Sequence, residues 1–436
     1  MRICIGGKNN IAVDVCDYVL ENYPDIDLCV IPNKGDDGID RSQRSLKKYA
    51  QEHEIPIVSL ADVYPWEDLV FLSVEFDRII KPAKFASKEL FNIHFSLLPK
   101  YKGCHTAAMP ILNGDEIGGV TFHLMEAGID TGDIIDQEKV LISKDETCRS
   151  LYYKYLELGA KVVKRNLEAV INKTYKMYPQ PVDGSTYYPR TDIDYSNLEI
   201  DYNRTAIQVE RQFRAYSFRD FQLPHYEGQP ISYVEITGQK SNEKPGTIVR
   251  RDEHTFTLAT IDYDIILHCD RLNELVAIVS QGDLDTLKSI ENIDRYVLEQ
   301  EPEHGWTLLM VASYYNQFEI ARYLIRKGSD VNAKNYKGTT VIMYAKDGML
   351  RTEDDRLFNS LLSLGANPYI QDYTGRDLFD YIDNKLKYKM IMNIPFKECK
   401  EISLHSLGGG ILESKVWDSE FKYRHAVVIM YRRAAA

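Results

Sequence analysis

Phe91-Asn92-Ile93-His94, running on into Ser96-Leu97-Leu98-Pro99, reads as a strand that ends in a loop. Strand period two puts Asn92 and His94 on one face, with Phe91 and Ile93 on the other. Open α/β sheets hold their ligands where a strand gives way to its loop, so this run points to both a fold and a site. Around it, the first 175 residues alternate strand-like and helix-like patterns. Residues 2–6, 28–31, 69–73 and 90–95 are short apolar runs, and 11–22 and 45–52 have helical spacing. That alternation predicts a largely parallel sheet covered on both faces. Two longer strand-like runs follow at 119–125 and 133–141. A long helix then carries Leu151, Tyr155, Leu158 and Val162 at helical spacing.

Pro179, Pro181 and Gly184 interrupt residues 175–188, which read as a boundary. A helix is expected over 198–216, then short β runs at 247–249, 255–260 and 265–268, forming a small hairpin-like unit. Beyond it lies an internal repeat. Gly305-Trp306-Thr307-Leu308-Leu309-Met310-Val311-Ala312 is echoed by Gly338-Thr339-Thr340-Val341-Ile342-Met343-Tyr344-Ala345 at a spacing of 33. A weaker copy starts at Gly375, 37 residues on, and the four extra residues are expected within 347–356. Upstream, 275–287 has the pattern of a capping helix pair. Period 33, an opening glycine and Gly328-Ser329-Asp330-Val331-Asn332-Ala333 at the hairpin resemble an ankyrin array over residues 271–395. Residues 396–436 match no pattern.

The chain has 436 residues, 44% hydrophobic and 27% charged, a globular balance that fits about three domains. Its net charge of −12 disfavours a nucleic acid as main partner, since phosphate neutralisation drives such binding. Met1 leads directly into Ile3-Cys4-Ile5 with no signal-peptide pattern, and no apolar run approaches the roughly 18 residues a membrane span needs. Seven scattered cysteines without a C-x-x-C pair indicate neither a disulfide framework nor a zinc site. A cytoplasmic, reduced protein without metal or membrane partner is expected.

Gly128-Ile129-Asp130-Thr131-Gly132-Asp133 is a polar turn bounded by glycines. An amide (Asn92), an imidazole (His94) and a carboxylate (Asp130) can therefore converge at one sheet edge. The set suits acyl transfer to an external nucleophile. Asn92 and His94 offer N–H groups to an oxyanion forming on a carbonyl. Asp130 beside His94 favours the imidazolium and accepts the proton shed by an attacking amine. No nucleophile-elbow pattern points to a covalent acyl-enzyme.

The longer string Asn92-Ile93-His94-Phe95-Ser96-Leu97-Leu98-Pro99-Lys100-Tyr101-Lys102-Gly103, with Gly119-Val120-Thr121-Phe122-His123 and Gly128 to Gly132, resembles the 10-formyltetrahydrofolate-dependent formyltransferases. The resemblance covers residues 1–235 and implies a Rossmann-like α/β catalytic domain. The family's catalytic Asn, His and Asp fall on Asn92, His94 and Asp130. It also implies a folate pocket lined by Phe76, Arg78 and Ile80 and closed by the loop at Asp133. Arg214-Ala215-Tyr216-Ser217-Phe218, then Gln222-Leu223-Pro224, is similar to the segment after the catalytic domain in nucleotide-sugar N-formyltransferases. The β unit at 236–270 is similar to that group's dimerising hairpin, which implies a homodimer.

Within that group the resemblance is to a branch with C-terminal ankyrin repeats. It implies formylation of a dTDP-linked aminosugar, dTDP-3-amino-3,6-dideoxyglucose, for cell-surface polysaccharide (O-antigen) biosynthesis. The alternatives are the 4-amino isomer, a methionyl-tRNA formyltransferase, and an ankyrin scaffold with a vestigial enzyme domain. Gly7-Lys8-Asn9 follows the first strand and opens a helix, a geometry suited to diphosphate; a solvated turn lysine is the other reading of Lys8. Tyr216 can stack on thymine or sit in the core. His105 lies where the aminosugar enters or is a plain surface histidine. The aromatic surplus of the repeats, Trp306, Tyr314, Tyr315, Tyr336 and Tyr344, serves inter-repeat packing or a protein or small-ligand surface.

Overall fold

The computed structural model describes residues 1–382 and the strands Ile402–Leu407 and Ile411–Val416. It divides into two compact units, one of Met1–Arg271 and one starting at Leu272.

The first unit runs β1 (Arg2–Gly7), α1 (Asn9–Asn22), β2 (Asp27–Pro32), α2 (Leu46–Glu52), α3 (Leu60–Val63), β3 (Leu69–Val74), β4 (Leu90–His94), β5 (Lys102–Gly103), α4 (Ala108–Asn113), β6 (Ile117–Leu124), β7 (Ile134–Leu141), α5 (Cys148–Ile171), β8 (Tyr187–Tyr188) and α6 (Ala206–Tyr216). Its main sheet has the order β2-β1-β3-β4-β6-β7. The first four strands are parallel, whereas β6 runs antiparallel to β4 and β7 antiparallel to β6. The sheet is therefore mixed rather than largely parallel. β3 is buried along its whole length, because helices and loops cover both faces. On one face Ile11, Val15 and Val19 of α1 join Leu151, Tyr155 and Val162 of α5 over Ile5, Leu72 and Phe91. On the other, Cys4, Ile31, Phe71, Phe85 and Leu90 form a smaller cluster. The Ser45 side chain caps α2, and a reciprocal Thr147–Ser150 box starts α5, each satisfying otherwise orphaned helix N–H groups.

Two expectations need correction. The helix expected over 198–216 begins only at Ala206. Asp201 accepts the Asn203 amide and the Arg204 guanidinium, and this side-chain turn outcompetes the helix. The hairpin-like unit is larger than the pattern implies. It is a five-stranded antiparallel sheet of β9 (His225–Tyr226), β10 (Gln229–Ile236), β11 (Ile248–Arg251), β12 (Thr255–Leu258) and β13 (Ile265–Cys269), in the order β11-β12-β13-β10-β9. β10 runs across the 235/236 position where the sequence pattern placed a boundary. Ile231 is its single fully buried residue and Pro230 sits near its start, so it carries little strand signal. Val209 and Phe213 of α6 pack against Ile231, Leu258, Ile265 and Leu267 of this sheet.

The second unit stacks helix pairs: α7 (Leu272–Gln281) with α8 (Leu284–Ser289), α9 (Leu308–Tyr314) with α10 (Phe318–Arg326), and α11 (Val341–Thr352) with α12 (Arg356–Ser363). The capping pair and both repeats fall where the periodicity put them. The extra residues of the second repeat lengthen α11, which has 12 residues against 7 in α9. Trp306 lies 4.6 Å from Tyr344 and 5.4 Å from Tyr314, centroid to centroid, so much of the aromatic surplus is packing between repeats. Tyr336 is buried while Tyr315 is exposed. Residues 383–395, the end of the expected array, lie outside the described residues. Of the tail from 396, only the antiparallel pair β14 (Ile402–Leu407) and β15 (Ile411–Val416) is described.

Gly305 opens the first repeat with φ of 75°, and a Cβ there would lie 2.4 Å from the Tyr336 ring. Gly305→Ala therefore combines left-handed strain with a clash against the neighbouring repeat. Denaturation followed through Trp306 fluorescence should show a loss above about 1 kcal/mol. An unchanged midpoint would mean that the Tyr336 ring yields freely.

Candidate active site

β4 delivers Asn92 and His94 to one face, as its alternation predicts, while Phe91 stacks on Phe122 behind them. The antiparallel register sets His123 of β6 directly opposite Asn92 and Thr121 opposite His94. Two loops complete the arrangement. One follows β4 and passes through Tyr101 and Gly103. The other leaves β6 at Leu124, beside the start of β4, and folds back so that Asp130 returns to the level of Asn92 and His94.

The Asp130 carboxylate is the centre. One oxygen accepts the Gly103 N–H at 2.9 Å and lies 3.5 Å from His94 Nδ1. The other lies 3.4 Å from Asn92 Nδ2 and 3.7 Å from His123 Nε2. His94 Nε2 is 2.8 Å from the Tyr101 carbonyl. Since a carbonyl only accepts, Nε2 carries the hydrogen and Nδ1 faces Asp130. The same reasoning fixes His123: Nδ1 donates to the Leu124 carbonyl at 2.6 Å, leaving Nε2 to accept from the Asn92 amide at 3.2 Å. His123 is 2% exposed. Burial pushes its imidazole down to about 4, against the opposing pull of Asp130. It is therefore a neutral acceptor at neutral pH, and it orients the Asn92 amide. Asn92, His94 and Asp130, the three residues expected to be catalytic, come together in space.

His123, the Tyr101 carbonyl and the Gly103 N–H are the parts that sequence reasoning leaves without a role. His123 was legible as a strand residue, but only the register across β4 and β6 brings it to Asn92. Main-chain groups leave no mark in residue identity.

The other predicted residues are placed as follows. Phe76 and Ile80 pack in the cluster of Phe71, Phe85 and Leu90. The Arg78 guanidinium lies over the Phe76 ring at 5.0 Å and donates to the Pro32 carbonyl. Ile79 between them is 76% exposed. Asp133 belongs to the loop that carries Asp130, where its carbonyl accepts the Leu124 N–H. Gly7 allows β1 and β3 to approach: a Cβ there would lie 2.0 Å from the Val74 carbonyl oxygen. The turn after it is less open than an anion cradle. Lys8 N–H donates to Val74, Asn10 N–H to Gln43, and the Asn9 amide to the Tyr152 hydroxyl. Lys8 Nζ lies 3.7 Å from Glu75. His105 is held with φ of 61°, its ring against the Arg190 carbonyl at 3.1 Å and 5.6 Å from Tyr195. Tyr216 ends α6, half-buried against the main core, which pushes its phenol up. Among the described residues no group of His, Cys, Asp and Glu is placed to hold a metal ion, and no helix is long and apolar enough to cross a membrane.

Residues 48–167 match a family model described as formyl transferase, and 275–372 match one for ankyrin repeats. Among solved structures, the N-formyltransferase from Helicobacter canadensis, in complex with folinic acid and dTDP-3-aminofucose, is 40% identical. That match covers 62% of this chain and 99% of that one, with a TM-score of 0.57. WlaRD, a sugar 3N-formyl transferase solved in the presence of dTDP and 5-N-formyl-THF, is 42% identical over 62% of this chain and 97% of its own, with a TM-score of 0.56. Methionyl-tRNA formyltransferases are more distant. That of Coxiella burnetii (strain RSA 331 / Henzerling II) is 26% identical over 51% of this chain and 74% of its own. That of Fervidobacterium nodosum is 27% identical over 62% and 89%.

The buried His123 generates a pH signature. The unfolded chain binds more protons than the fold between the ordinary value of 6.5 and about 4. This group's support for the fold is complete above that window and is lost as pH falls through it, at no more than about 1.4 kcal/mol per pH unit. Denaturation midpoints at pH 7 and pH 5 should converge in His123→Asn relative to the parent protein. An identical pH dependence in both would assign the titration elsewhere.

Proposed function

We propose that this chain, which belongs to the formyltransferase family, moves the formyl group of 10-formyltetrahydrofolate to the amine of a dTDP-linked aminosugar, with dTDP-3-amino-3,6-dideoxyglucose as the acceptor. The observation that carries the reading is the carboxylate of Asp130, within 3.5 Å of both the Asn92 amide nitrogen and His94 Nδ1. An amide donor, an imidazole and a general base around one point are what acyl transfer to an amine requires. The 40–42% identity to two proteins described with a 3-aminosugar or as a sugar 3N-formyl transferase supports the sugar over tRNA. So does the net charge of −12, which is poorly suited to a polyanion.

The residues after β3 fit the donor. Phe76, Arg78 over its ring and the exposed Ile79 form an apolar, cation-edged loop at the carboxyl ends of parallel strands, where a flat ring can lie. Bound there, the donor supplies an electrophilic formyl carbon. The chain supplies the rest. Asn92, its amide turned by neutral His123, donates to the carbonyl oxygen as charge grows on it. Asp130, fixed by the Gly103 N–H, receives the proton that the amine sheds and returns it to N10 of the donor as the formyl C–N10 bond breaks and tetrahydrofolate leaves. His94, clamped between Asp130 and the Tyr101 carbonyl, holds the carboxylate in place beside the reacting carbon.

The acceptor reaches this point past His105, with Tyr216 and the Gly7-Lys8-Asn9 turn on the nucleotide side. A second copy docks through the five-stranded sheet, giving a homodimer. The repeats offer a surface for a protein or small ligand. The setting is cytoplasmic synthesis of cell-surface polysaccharide.

Transfer should be measured side by side with dTDP-3-amino-3,6-dideoxyglucose, its 4-amino isomer and methionyl-tRNA. The 3-amino sugar should be formylated fastest, and Asn92→Ala and His94→Ala should each lose roughly 100- to 1,000-fold in kcat. Preference for the 4-amino sugar keeps the chemistry and changes the acceptor. Activity on tRNA alone, or near-normal turnover in either variant, overturns the reading.

A further inference from the structure

Asp130 is held with φ of 53°, in the left-handed region that is uncommon for residues with a Cβ, though aspartate enters it more readily than most. The loop bearing it is closed at its base by the Leu124 N–H donating to the Asp133 carbonyl. Gly132 passes so close that a Cβ would lie 1.9 Å from the Leu124 oxygen. Neither contact fixes the peptide of Asp130 itself.

That is done from outside the catalytic strands, by the segment after α5 that the sequence pattern marks as a boundary. Tyr178 exchanges both backbone hydrogen bonds with Ile134, at 2.8 and 2.9 Å. Two residues on, Gln180 Nε2 donates to the Asp130 carbonyl and to the Gly132 carbonyl, each at 2.8 Å. Gln180 stands between Pro179 and Pro181. Each proline fixes its own φ and holds the residue before it extended, so the backbone that carries the Gln180 side chain is restricted before the loop docks. The amide can be seated in one sense only. A flip would turn Oε1 onto two carbonyl oxygens; as seated, that oxygen is buried with no protein partner.

The same segment then reaches the other catalytic loop. Thr186 Oγ1 accepts the N–H of Tyr101, itself at φ of 59°, at 2.7 Å. Lys102–Gly103 pairs with Tyr187–Tyr188. The segment thus touches both peptides that fix the carboxylate and the imidazole.

We infer that Gln180 is a positioning residue for the transfer reaction, aiming Asp130 through the two carbonyls it binds without touching the reacting atoms. The inference rests on the proposed function, since it assigns Asp130 a role in turnover. A group that acts through Asp130 has nothing left to aim once that carboxylate is gone.

The test is a cycle of Gln180→Ala, Asp130→Asn and the double variant, assayed with whichever acceptor the parent enzyme uses. It is combined with hydrogen exchange of the peptide spanning 126–134. Gln180→Ala should lower kcat by about 10- to 100-fold with both KM values little changed, the loss expected from a small misplacement of a reacting group. In the Asp130→Asn background the same change should cost under about 2-fold, and exchange in that peptide should rise. Gln180→Met, which keeps the bulk and loses the donors, should repeat the result if the alanine variant folds poorly. Losses that multiply in the double variant, unchanged exchange, or a raised acceptor KM at intact kcat would each overturn the inference. Absence of transfer by the parent enzyme to any acceptor would instead sink the proposed function, while the exchange result would still decide whether Gln180 holds the loop.

Discussion

One hydrogen bond joins the two halves of the site, from the Gly103 N–H to the Asp130 carboxylate at 2.9 Å. Its donor and acceptor lie on loops that leave opposite ends of neighbouring antiparallel strands, one after His94 and the other after Leu124. The bond is the direct link between these loops; the segment that carries Gln180 and Thr186 ties the same two loops from outside. The reversal between β4 and β6 makes the meeting possible, because it brings His123 beside Asn92 and lets the second loop fold back. Gly103 is required at the joint: at φ of 87°, a Cβ would lie 2.5 Å from the Tyr188 carbonyl oxygen.

The electrostatics follow from that joint. Asp130 is nearly buried, yet its charge is met by a backbone N–H, an amide and an imidazole, as a buried carboxylate requires. Two histidines approach it and they differ in kind. His123, held neutral by burial and tied to the Leu124 carbonyl, contributes a lone pair and no charge, and it spends that lone pair on Asn92. His94 is the ring whose Nδ1 faces the carboxylate. The two imidazoles are thus turned to different partners, His123 to the Asn92 amide and His94 to the Tyr101 carbonyl and Asp130. Preorganised donors of this kind need no reorganisation as charge grows on a carbonyl.

Elements with strong periodicity were legible before the structure: the parallel strands, α1, α5, and the repeat with its period of 33. So was the meeting of Asn92, His94 and Asp130, because strand alternation places the first two and a glycine-bounded turn advertises the third. What sequence left out was non-local or main-chain. His123 needs a cross-strand register and Tyr101 acts through its carbonyl. β10 is a half-exposed strand whose pattern breaks at Pro230. The direction of β6 was also invisible, since a strand reads the same both ways until its connections are traced. Residues 175–188 were misleading for a different reason. Proline and glycine interrupt periodicity wherever they stand, and here they shape a segment that bonds to both loops of the site.

The turn after β1 was expected to present open donors to a diphosphate, and the structure binds several of them internally. Tyr152 of α5 donates its hydroxyl to Glu75 at 2.7 Å and accepts the Asn9 amide at 2.6 Å, while Lys8 approaches the same carboxylate. These contacts differ greatly in strength. The Lys8 side chain is 43% exposed and its 3.7 Å pair with Glu75 is loose, the kind of ion pair worth at most about 1 kcal/mol. Exchanging Glu75 for a phosphate therefore costs Lys8 little, and a charge-assisted bond to a phosphate oxygen is the stronger of the two. Glu75 keeps the Tyr152 hydroxyl through the exchange and is not left as a bare buried charge. The internal network thus holds the turn in shape, with the Lys8 and Asn10 N–H groups and the Asn9 amide already bonded inside it and the Lys8 ammonium as its loosely held donor.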